Sequence, residues 1–302
     1  MQKVLVAEIR SETTVVNAFG DLDTENPRLL GQGLSPTTVL DGDVGIGLRS
    51  AVSDLEKDIG PVGFLGKIPF YATSSVSTRR ALQEVNVPYI LKGKILPTPK
   101  AIMQIAQLIY EEVGDVLVID VGGVSTNVYS ISLISKPVAQ RTVEEDLGVF
   151  INALTLVKLI GENRIKEKHG QGWEKLIKFE PETLEELALC AELTAAAVTI
   201  ALQRHCGQTC NYNGTCGKVT SVKSRDLSRI RWIVGTGLAL TQLPNGLEIM
   251  RESIKGMEDT LPQGGIPILL DKDYIMASLG VLTTTFRQGA WQLLRESFGV
   301  EN

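Results

Sequence analysis

The chain has 302 residues, of which 43% are hydrophobic and 22% are charged, and its formal net charge is −5 with a pI of about 5.3. This is the balance of a globular protein that is long enough for one large domain or two of ordinary size. Because no basic stretch is interleaved with aromatic residues, the composition argues against a nucleic-acid-binding surface, and we expect no nucleic-acid partner.

The hydrophobic segments argue against a secreted or membrane protein. The first residues, Met1 to Glu8, turn polar too soon for a signal peptide, and the most apolar stretch, residues 193–202, is too short to span a bilayer. Four cysteines in a chain of this length do not indicate a secreted disulfide framework. We therefore expect a cytoplasmic protein with no membrane partner.

The first third of the chain alternates apolar segments with turn residues. Pro97-Thr98-Pro99 is typical of a stiff connector, and we place a domain boundary there. Residues 1–97 then form a first domain, which the C-terminal helix 275–302 completes, and residues 98–274 form a second. In chain order we predict two strands over residues 3–19, loops with a short strand over 20–45, a helix from Asp43 to Lys57, a strand near Phe70, a helix over 77–85 and a strand over 88–96.

The segment 115–131 is the most informative part of the second domain. A helix over residues 101–113 leads into an apolar strand that ends at Asp120. Gly122, Gly123, Ser125 and Thr126 follow before a second strand. Backbone N–H groups and hydroxyls in such a loop can bind a phosphate while the carboxylate faces a hydrated cation. An ordinary β-hairpin with a Gly-Gly turn fits these residues equally well.

A weaker copy of this pattern occurs near the N-terminus. With a shift of 112 positions, residues 4–16 align with residues 116–128. The apolar runs coincide, Glu8 falls on Asp120, and a pair of hydroxyl residues, Thr13 and Thr14, falls on another such pair. Two copies of one supersecondary unit imply two similar domains. If their loops face each other, the two loops form the sides of a ligand cleft.

The region after residue 140 is predicted to be mainly helical. An acidic segment, residues 144–146, precedes a helix over 150–160, and we interpret it as a helix N-terminus that collects carboxylates. A charged loop or frayed helix follows at 163–172, a long helix covers 182–203, and closing helices cover 274–287 and 288–298.

Three cysteines, Cys206, Cys210 and Cys216, lie in a short insert after His205. Clustered cysteines can bind zinc or an iron–sulfur cluster, but the Cys-x3-Cys-x5-Cys spacing matches no standard zinc pattern. We therefore favour reduced or loosely paired thiols, with a metal site as the alternative.

A third glycine-containing turn follows an apolar strand at residues 231–234. Gly235, Thr236 and Gly237 separate this strand from a helix, and glycine allows the backbone to approach a ribose or a flat ring closely. Any strand-to-helix turn can use glycine, so the motif alone is a weak signal. The sequence contains neither a Walker A lysine motif nor G-x-G-x-x-G, so it supports neither a P-loop nor a Rossmann dinucleotide site.

The order of these three loops resembles that of the actin, hexokinase and heat-shock-protein superfamily. Further segments resemble the glutamate mutase-associated accessory family within it, and together they cover nearly the whole chain. The resemblance implies an α/β fold with duplicated actin-like (ribonuclease H-like) domains, whose mixed β-sheets are flanked by helices around a nucleotide cleft. The segments that carry it are residues 35–39, 97–101, 120–130, 141–148, 204–205, 225–228, 233–237 and 270–277.

The resemblance also implies a function. Members of that family are thought to be ATP-dependent reactivating chaperones for adenosylcobalamin-dependent mutases. The expected partner is therefore glutamate mutase or a related aminomutase, and homo-oligomerisation stays open. The expected cofactor is ATP or ADP with Mg²⁺; Asp120 would hold Mg²⁺ through water, and Glu8 would orient the attacking water. The residues implied for nucleotide binding are Arg10, Ser11, Thr13, Thr14, Gly122, Gly123, Ser125, Thr126, Gly235, Thr236 and Gly237.

The first loop departs from the superfamily pattern Asp-x-Gly-Ser/Thr-x-Thr. Glu8 replaces aspartate, Arg10 fills a position that normally has no side chain, and Glu12 adds negative charge near the expected phosphates. Arg10 can offset that charge by pairing with Glu12 or by binding a phosphate. Two hypotheses therefore stand beside each other: an ATPase that acts on a mutase, and a degenerate relative that binds the mutase without hydrolysis. A small-molecule kinase of the same superfamily is a weaker third, because no separate substrate-recognition segment is evident.

Overall fold

The computed structural model describes residues 2–38, 43–63, 65–75, 95–134, 138–210, 216–218, 225–255, 257, 261–262 and 265–300, with the backbone alone at 208–210 and 216–218. The chain divides into two compact units. Unit 1 comprises residues 1–108 and 275–302, and unit 2 comprises residues 109–274. The predicted helix at 77–85 and most of the predicted strand at 88–96 lie outside the described residues.

Helices and strands alternate along the chain as in a mixed α/β protein. In chain order they are β1 (Lys3–Ile9), β2 (Thr13–Gly20), β3 (Arg28–Pro36), α1 (Val44–Ile59), β4 (Phe70–Ser74), β5 (Leu96–Pro97), α2 (Thr98–Val113), β6 (Val116–Val121), β7 (Thr126–Ile131), β8 (Ala139–Glu144), α3 (Ala153–Ile160), α4 (Glu162–His169), α5 (Leu184–His205), β9 (Gln208–Cys210), β10 (Cys216–Lys218), β11 (Trp232–Thr236), α6 (Leu238–Thr241), α7 (Gly246–Ile254), β12 (Ile268–Leu270), α8 (Met276–Leu282) and α9 (Arg287–Phe298).

Two predicted segments differ from the structure. Helix α2 begins at Thr98 and carries Pro99 in its first turn, so the predicted connector at 97–99 is wrong. Proline is tolerated there because the first N–H groups of a helix have no partner within the helix. Residues 141–144 belong to strand β8, and the helix that follows begins at Ala153 rather than at residue 150.

Unit 1 is built on a five-stranded mixed sheet with the strand order β3-β2-β1-β4-β5. β1, β2 and β3 are antiparallel neighbours, whereas β4 and β5 continue the sheet in parallel with β1. Helix α1 starts at an Asp43 cap, whose carboxylate accepts from the Gly45 N–H at 2.7 Å, and it packs on β3. A Cβ at Gly33 would lie 2.1 Å from the Ala51 carbonyl oxygen, so glycine is what allows this close approach.

Unit 2 repeats this strand order. Its sheet runs β12-β11-β6-β7-β8, with β6, β11 and β12 parallel and β7 and β8 on the antiparallel side. The register of the first hairpin is also repeated: Glu8 lies opposite Val15 in unit 1, and Asp120 lies opposite Asn127 in unit 2. The internal repeat that the sequence predicted is confirmed by this shared topology.

The core of unit 2 lies between one face of its sheet and helices α3, α5 and α7. Alternate residues of β6, Leu117, Ile119 and Val121, point into this core because side chains alternate between the faces of a strand. Helix α5 begins with a capping box between Thr183 and Glu186. No helix in the described part of the chain is long and apolar enough to cross a bilayer.

Candidate functional site

The β6–β7 loop, residues 122–125, is a tight turn whose carbonyl groups are bound within the protein. The Gly122 N–H donates to the Ser125 carbonyl at 3.0 Å. Residues 149–152, which follow β8, donate hydrogen bonds to the carbonyls of residues 122–124. The Ile151 N–H donates to the Gly123 carbonyl at 2.8 Å, and Asn152 Nδ2 donates to the Val124 carbonyl at 2.8 Å. An anion at this loop would therefore meet its N–H groups rather than its carbonyls.

Gly148 allows that segment to lie against the loop. A Cβ at this position would lie 2.2 Å from the Val124 carbonyl carbon and 2.4 Å from the Gly123 carbonyl oxygen. Contacts this short do not occur in real structures, so no other residue fits without movement of the loop backbone. Gly148 and Asn152 are not among the residues predicted for this site, because their contact with the loop depends on the path of the chain after β8.

The hydroxyls predicted to bind phosphate have different environments. Thr126 is buried, and its Oγ1 donates to the Leu147 carbonyl at 2.7 Å. Thr14, at the equivalent position of unit 1, is buried too, and its Oγ1 lies 2.9 Å from Thr37 Oγ1. Ser125 is only partly buried, with its Oγ 3.4 Å from Asn127 Nδ2. Among the three, Ser125 is the one placed to meet a ligand, and the two threonines support the loops.

Two carboxylates and a hydroxyl share the carboxyl edge of the parallel strands of unit 2. Asp120 is the penultimate residue of β6 and lies opposite Thr236 of β11, and Asp271 follows β12. Thr236 Oγ1 donates to Asp271 Oδ2 at 2.8 Å. Asp120 and Asp271 are 2% and 0% exposed. Asp271 was absent from the predicted site; it ends an apolar strand as Asp120 does, but the sequence does not show that β12 is a neighbour of β11.

The Gly-Thr-Gly turn packs on the end of β6. Gly237 has φ +96°, which favours glycine, and a Cβ there would lie 2.3 Å from the Val121 carbonyl oxygen and 2.7 Å from Asp120 Oδ1. The Cβ direction of Gly235 points instead at the side chains of Met250 and Leu270. Gly237 therefore brings the third loop against the Asp120 carboxylate, whereas Gly235 serves internal packing.

The oxygen donors at this edge fit a magnesium ion bound through water. Mg²⁺ prefers hard oxygen ligands and usually keeps several waters beside one or two carboxylates. Asp120, Thr236 and Asp271 supply such oxygens. Within the described residues, no group of three or more His, Cys, Asp or Glu side chains is arranged to hold a metal directly. A water-mediated ion fits this donor set better than a directly liganded one.

The cysteine insert after α5 is described only in part. Cys206 is buried. Strands β9 and β10 pair antiparallel, but the side chains of Cys210 and Cys216 lie outside the described residues. The choice between thiols and a metal site at these cysteines stays a prediction.

A cavity of about 20 Å³ lies beside the β6–β7 loop, which is room for about one water molecule. Gly123 and helix α6 form parts of its wall, and the rings of Phe150 and Phe179 pack edge to face nearby, with centroids 5.8 Å apart. Burial raises the pKa of the Cys190 thiol, so this lining residue stays protonated at neutral pH. Lys178 and Gln242 are the polar side chains of the lining with long, flexible stems.

The β1–β2 loop of unit 1, residues 10–12, has the same turn with a different charge arrangement. The Arg10 N–H donates to the Thr13 carbonyl at 2.8 Å, as Gly122 donates to Ser125 in unit 2. Arg10 Nε forms an ion pair with Glu8 Oε1, and the two side chains are 14% and 1% exposed. Ser11 Oγ lies 3.4 Å from Ser75 Oγ. Glu8 is a different partner from Glu12 or a phosphate, the two that the sequence suggested for Arg10.

The acidic residues at the end of β8 form ion pairs with an arginine and do not cap a helix N-terminus. Arg204 Nη1 contacts Glu144 Oε2 at 2.6 Å and Asp146 Oδ1 at 2.7 Å, and its Nη2 contacts Asp146 Oδ2 at 2.9 Å. The hydrogen bonds from Arg204 lower the pKa of Asp146. The interpretation of residues 144–146 as a helix cap is therefore wrong, and these residues tie β8 to the end of α5.

His205, next to Arg204, is fully buried and predicts a pH effect on stability. Its Nδ1 lies 2.9 Å from Thr142 Oγ1 and its Nε2 lies 2.8 Å from Ser130 Oγ. Burial, together with the charge of Arg225, lowers its pKa from 6.5 to about 3. Below pH 6.5 the unfolded chain therefore binds a proton at His205 that the folded chain does not bind. The unfolding free energy therefore falls as the pH drops.

We expect unit 2 to lose about 2 kcal/mol of unfolding free energy between pH 7 and pH 5 through this residue. His205→Gln should remove most of that slope in urea titrations followed by tryptophan fluorescence. His169→Gln, at the other histidine of the chain, is the control that should keep it. An unchanged slope in the His205 variant would contradict this assignment.

Comparisons with known proteins agree with the sequence and the topology. The model of the MutL protein family matches residues 80–298, more than half of the chain. Protein MutL from Clostridium tetanomorphum is 26% identical over 241 residues, which are 70% of this chain and 52% of that protein. The chain thus spans about half the length of this curated relative.

Solved structures are similar to the chain in fold. Component A of (R)-2-hydroxyglutaryl-CoA dehydratase from Acidaminococcus fermentans has a TM-score of 0.53 at 14% identity, with 96% of this chain and 100% of that chain covered. The activator of 2-hydroxyisocaproyl-CoA dehydratase from Clostridium difficile, solved with bound ADPNP, has a TM-score of 0.51 at 12% identity, with 100% and 99% covered. These likenesses and the duplicated strand order confirm the predicted actin-like α/β fold.

Proposed function

The chain belongs to the MutL protein family, and from this premise we propose that it binds ATP as an accessory protein of an adenosylcobalamin-dependent mutase. Glutamate mutase or a related aminomutase is the proposed client, and reactivation of that enzyme is the proposed task. Membership of the family supports a mutase-associated role. Because the chain spans about half of its curated relative, the activity and partner of the whole protein are part of the proposal.

The observation that carries the proposal is the arrangement at the carboxyl edge of the unit 2 sheet. Residues 149–152 bind the carbonyls of Gly122, Gly123 and Val124, and the Gly122 N–H is bound to the Ser125 carbonyl. The other N–H groups of the loop are therefore the part of its backbone that we propose to meet phosphate oxygens. Gly237 places the third loop directly against Asp120. A closed turn, a buried carboxylate and a close glycine turn at one edge together support the proposed nucleotide site.

The residues of unit 2 take separate roles in this proposal. Ser125 and the N–H group of Gly123 would contact phosphate, while Asp120 would hold a magnesium ion through water. When bound, Mg²⁺ neutralises phosphate charge and orients the phosphate oxygens. A purine ring is larger than the cavity beside the loop, so Lys178 and Gln242 are proposed to move when a nucleoside enters. Gly122, Thr126, Gly235 and Thr236 contribute by shaping the loops.

In unit 1, the proposal keeps Ser11 and Thr13 as phosphate contacts of the β1–β2 loop and Thr14 as its support. Glu8 is the residue proposed to orient water at that loop. The closed turn supports these assignments, since the Arg10 N–H closes it in the same way as the Gly122 N–H closes the β6–β7 turn. Arg10 is already paired with Glu8, so the proposal assigns it no phosphate contact.

Calorimetric titration tests nucleotide binding. We expect measurable heat with Mg-ATP, with ADP and with a non-hydrolysable ATP analogue, and weaker binding when EDTA removes Mg²⁺. Absence of heat at millimolar nucleotide would refute the proposal. A second measurement follows the recovery of a turnover-inactivated mutase, with and without the protein and ATP. Failure to restore activity with nucleotide binding intact would refute the reactivase role alone.

A second candidate function is a non-hydrolysing binding partner of the mutase. The ion pair between Arg10 and Glu8 favours it, because the residue proposed to orient water is already engaged. Phosphate release separates the two candidates. Release no faster than a buffer blank, from protein that binds Mg-ATP, selects the binding partner.

A further inference from the structure

We propose that Arg10 is a built-in counter-ion that holds Glu8 away from water and thereby suppresses ATP hydrolysis at the β1–β2 loop. This inference rests on the proposed nucleotide binding and names the residue that controls turnover. Arg10 is a positioning residue in this scheme, since it acts through Glu8.

The internal repeat shows which residues of the two hairpin turns correspond to each other. The same backbone hydrogen bond closes both hairpin turns, so Arg10 stands where Gly122 stands in unit 2, and Glu8 stands where Asp120 stands. In unit 2 the glycine has no side chain to place beside the strand-end carboxylate. In unit 1 the arginine side chain folds back onto that carboxylate. The two copies therefore differ in the residue at the first position of the turn, which is an arginine in unit 1 and a glycine in unit 2.

The geometry along the chain favours this pair. Residues two apart on an extended chain project to the same face, so the side chains of Glu8 and Arg10 start on one side of the strand. Glu8 is 1% exposed and Arg10 is 14% exposed, so both charges are largely shielded from water. A charge-assisted hydrogen bond is stronger than a neutral one, and a guanidinium remains charged throughout the accessible pH range.

The consequence concerns the attack of water on a phosphate at this loop. In hydrolysis, the water oxygen forms a bond to the γ-phosphorus, and the bond from that phosphorus to the bridging oxygen breaks. ADP leaves with the electron pair of that bond, and the proton of water passes to Glu8 and on to the released phosphate. A carboxylate oxygen that accepts from Arg10 is a weaker acceptor for the proton of water. The pair thus favours retention of ATP over its hydrolysis.

Arg10→Gly, which restores the residue type of the other turn, tests the inference. We expect the rate of phosphate release from Mg-ATP to rise at least tenfold. The affinity for Mg-ATP should change by a smaller factor than the rate does. Arg10→Lys, which keeps a cation near Glu8, should stay as slow as the native protein. The double variant Arg10→Gly with Glu8→Gln should lose the gain, which a merely structural role of Arg10 would not predict.

The outcomes separate this inference from the proposed function. No binding of Mg-ATP by the native protein refutes the proposed function. Normal binding by Arg10→Gly, without faster phosphate release, refutes the inference while nucleotide binding stands. If Arg10→Gly fails to fold by circular dichroism, Arg10→Gln serves instead, since it keeps a donor of similar reach without the charge. The same gain is expected from it, and a rate equal to the native rate overturns the inference.

Discussion

Asp120→Asn is expected to lower the affinity for Mg-ATP by at least about 100-fold, equivalent to about 2.7 kcal/mol of binding free energy. The substitution keeps the shape of the side chain and removes its charge. The carboxylate is 2% exposed and lies against Gly237, at the edge of the sheet where the magnesium ion is proposed to bind. Titration calorimetry of both proteins, with Mg²⁺ and with EDTA, measures the effect. The native affinity should depend on Mg²⁺, and the affinity of the variant should not.

Asp115→Asn is the matched control for this experiment. Asp115 immediately precedes the same strand at its other end, is 6% exposed and accepts from Ser132 Oγ at 2.7 Å. Its substitution also removes a buried carboxylate, so it reports the general cost of that change. We expect its affinity for Mg-ATP to stay within about threefold of the native value. Equal losses in both variants, or none in Asp120→Asn, would mean that the nucleotide site does not use the β6 carboxylate.

The duplicated architecture was predictable because the same local sequence pattern occurs in both units. Both β1 and β6 are apolar runs that end in an acid, and both are followed by a turn and a strand with hydroxyl residues. These features depend on neighbouring residues alone. The pairing register confirms the alignment down to single residues, since Glu8 opposite Val15 corresponds to Asp120 opposite Asn127.

Contacts between distant segments explain most of what the sequence did not reveal. Asp271 joins the carboxyl edge only because β12 pairs with β11. Asn152 and Gly148 support the β6–β7 loop only because the chain turns back after β8. Arg204 forms ion pairs with Glu144 and Asp146, so these two residues do not cap the helix that follows them. A single sequence shows each residue type, but not the strand order that brings these residues together.

The pair between Glu8 and Arg10 is a different case, because its signal was local. A spacing of two residues on a strand places side chains on one face, which the sequence already showed. The prediction gave weight to Glu12 and to a phosphate because it treated the loop as a ligand site rather than as the end of a strand. Strand periodicity therefore continues to govern side-chain direction at the first residue of the turn.

Gly148→Ala is expected to lower the unfolding free energy of unit 2 by about 2–4 kcal/mol and the affinity for Mg-ATP at least about tenfold. The added Cβ would lie 2.2–2.4 Å from the backbone of Gly123 and Val124, so the loop must move rather than a side chain. Movement breaks the hydrogen bonds that bind the loop carbonyls to residues 150–152. The N–H groups proposed to bind phosphate then lose their fixed directions. Urea unfolding and calorimetry measure the two effects on the same preparation.

Gly170→Ala separates the two effects. Gly170 ends α4 at φ +82°, and a Cβ there meets nothing within 4 Å, so alanine adds backbone strain of about 1 kcal/mol without displacing a neighbour. We expect this variant to be less stable and to bind Mg-ATP with native affinity. A destabilised Gly148→Ala protein with native affinity would show that the phosphate-binding turn keeps its shape without residues 148–152. Loss of affinity in the control as well would show that binding follows overall stability instead of loop geometry.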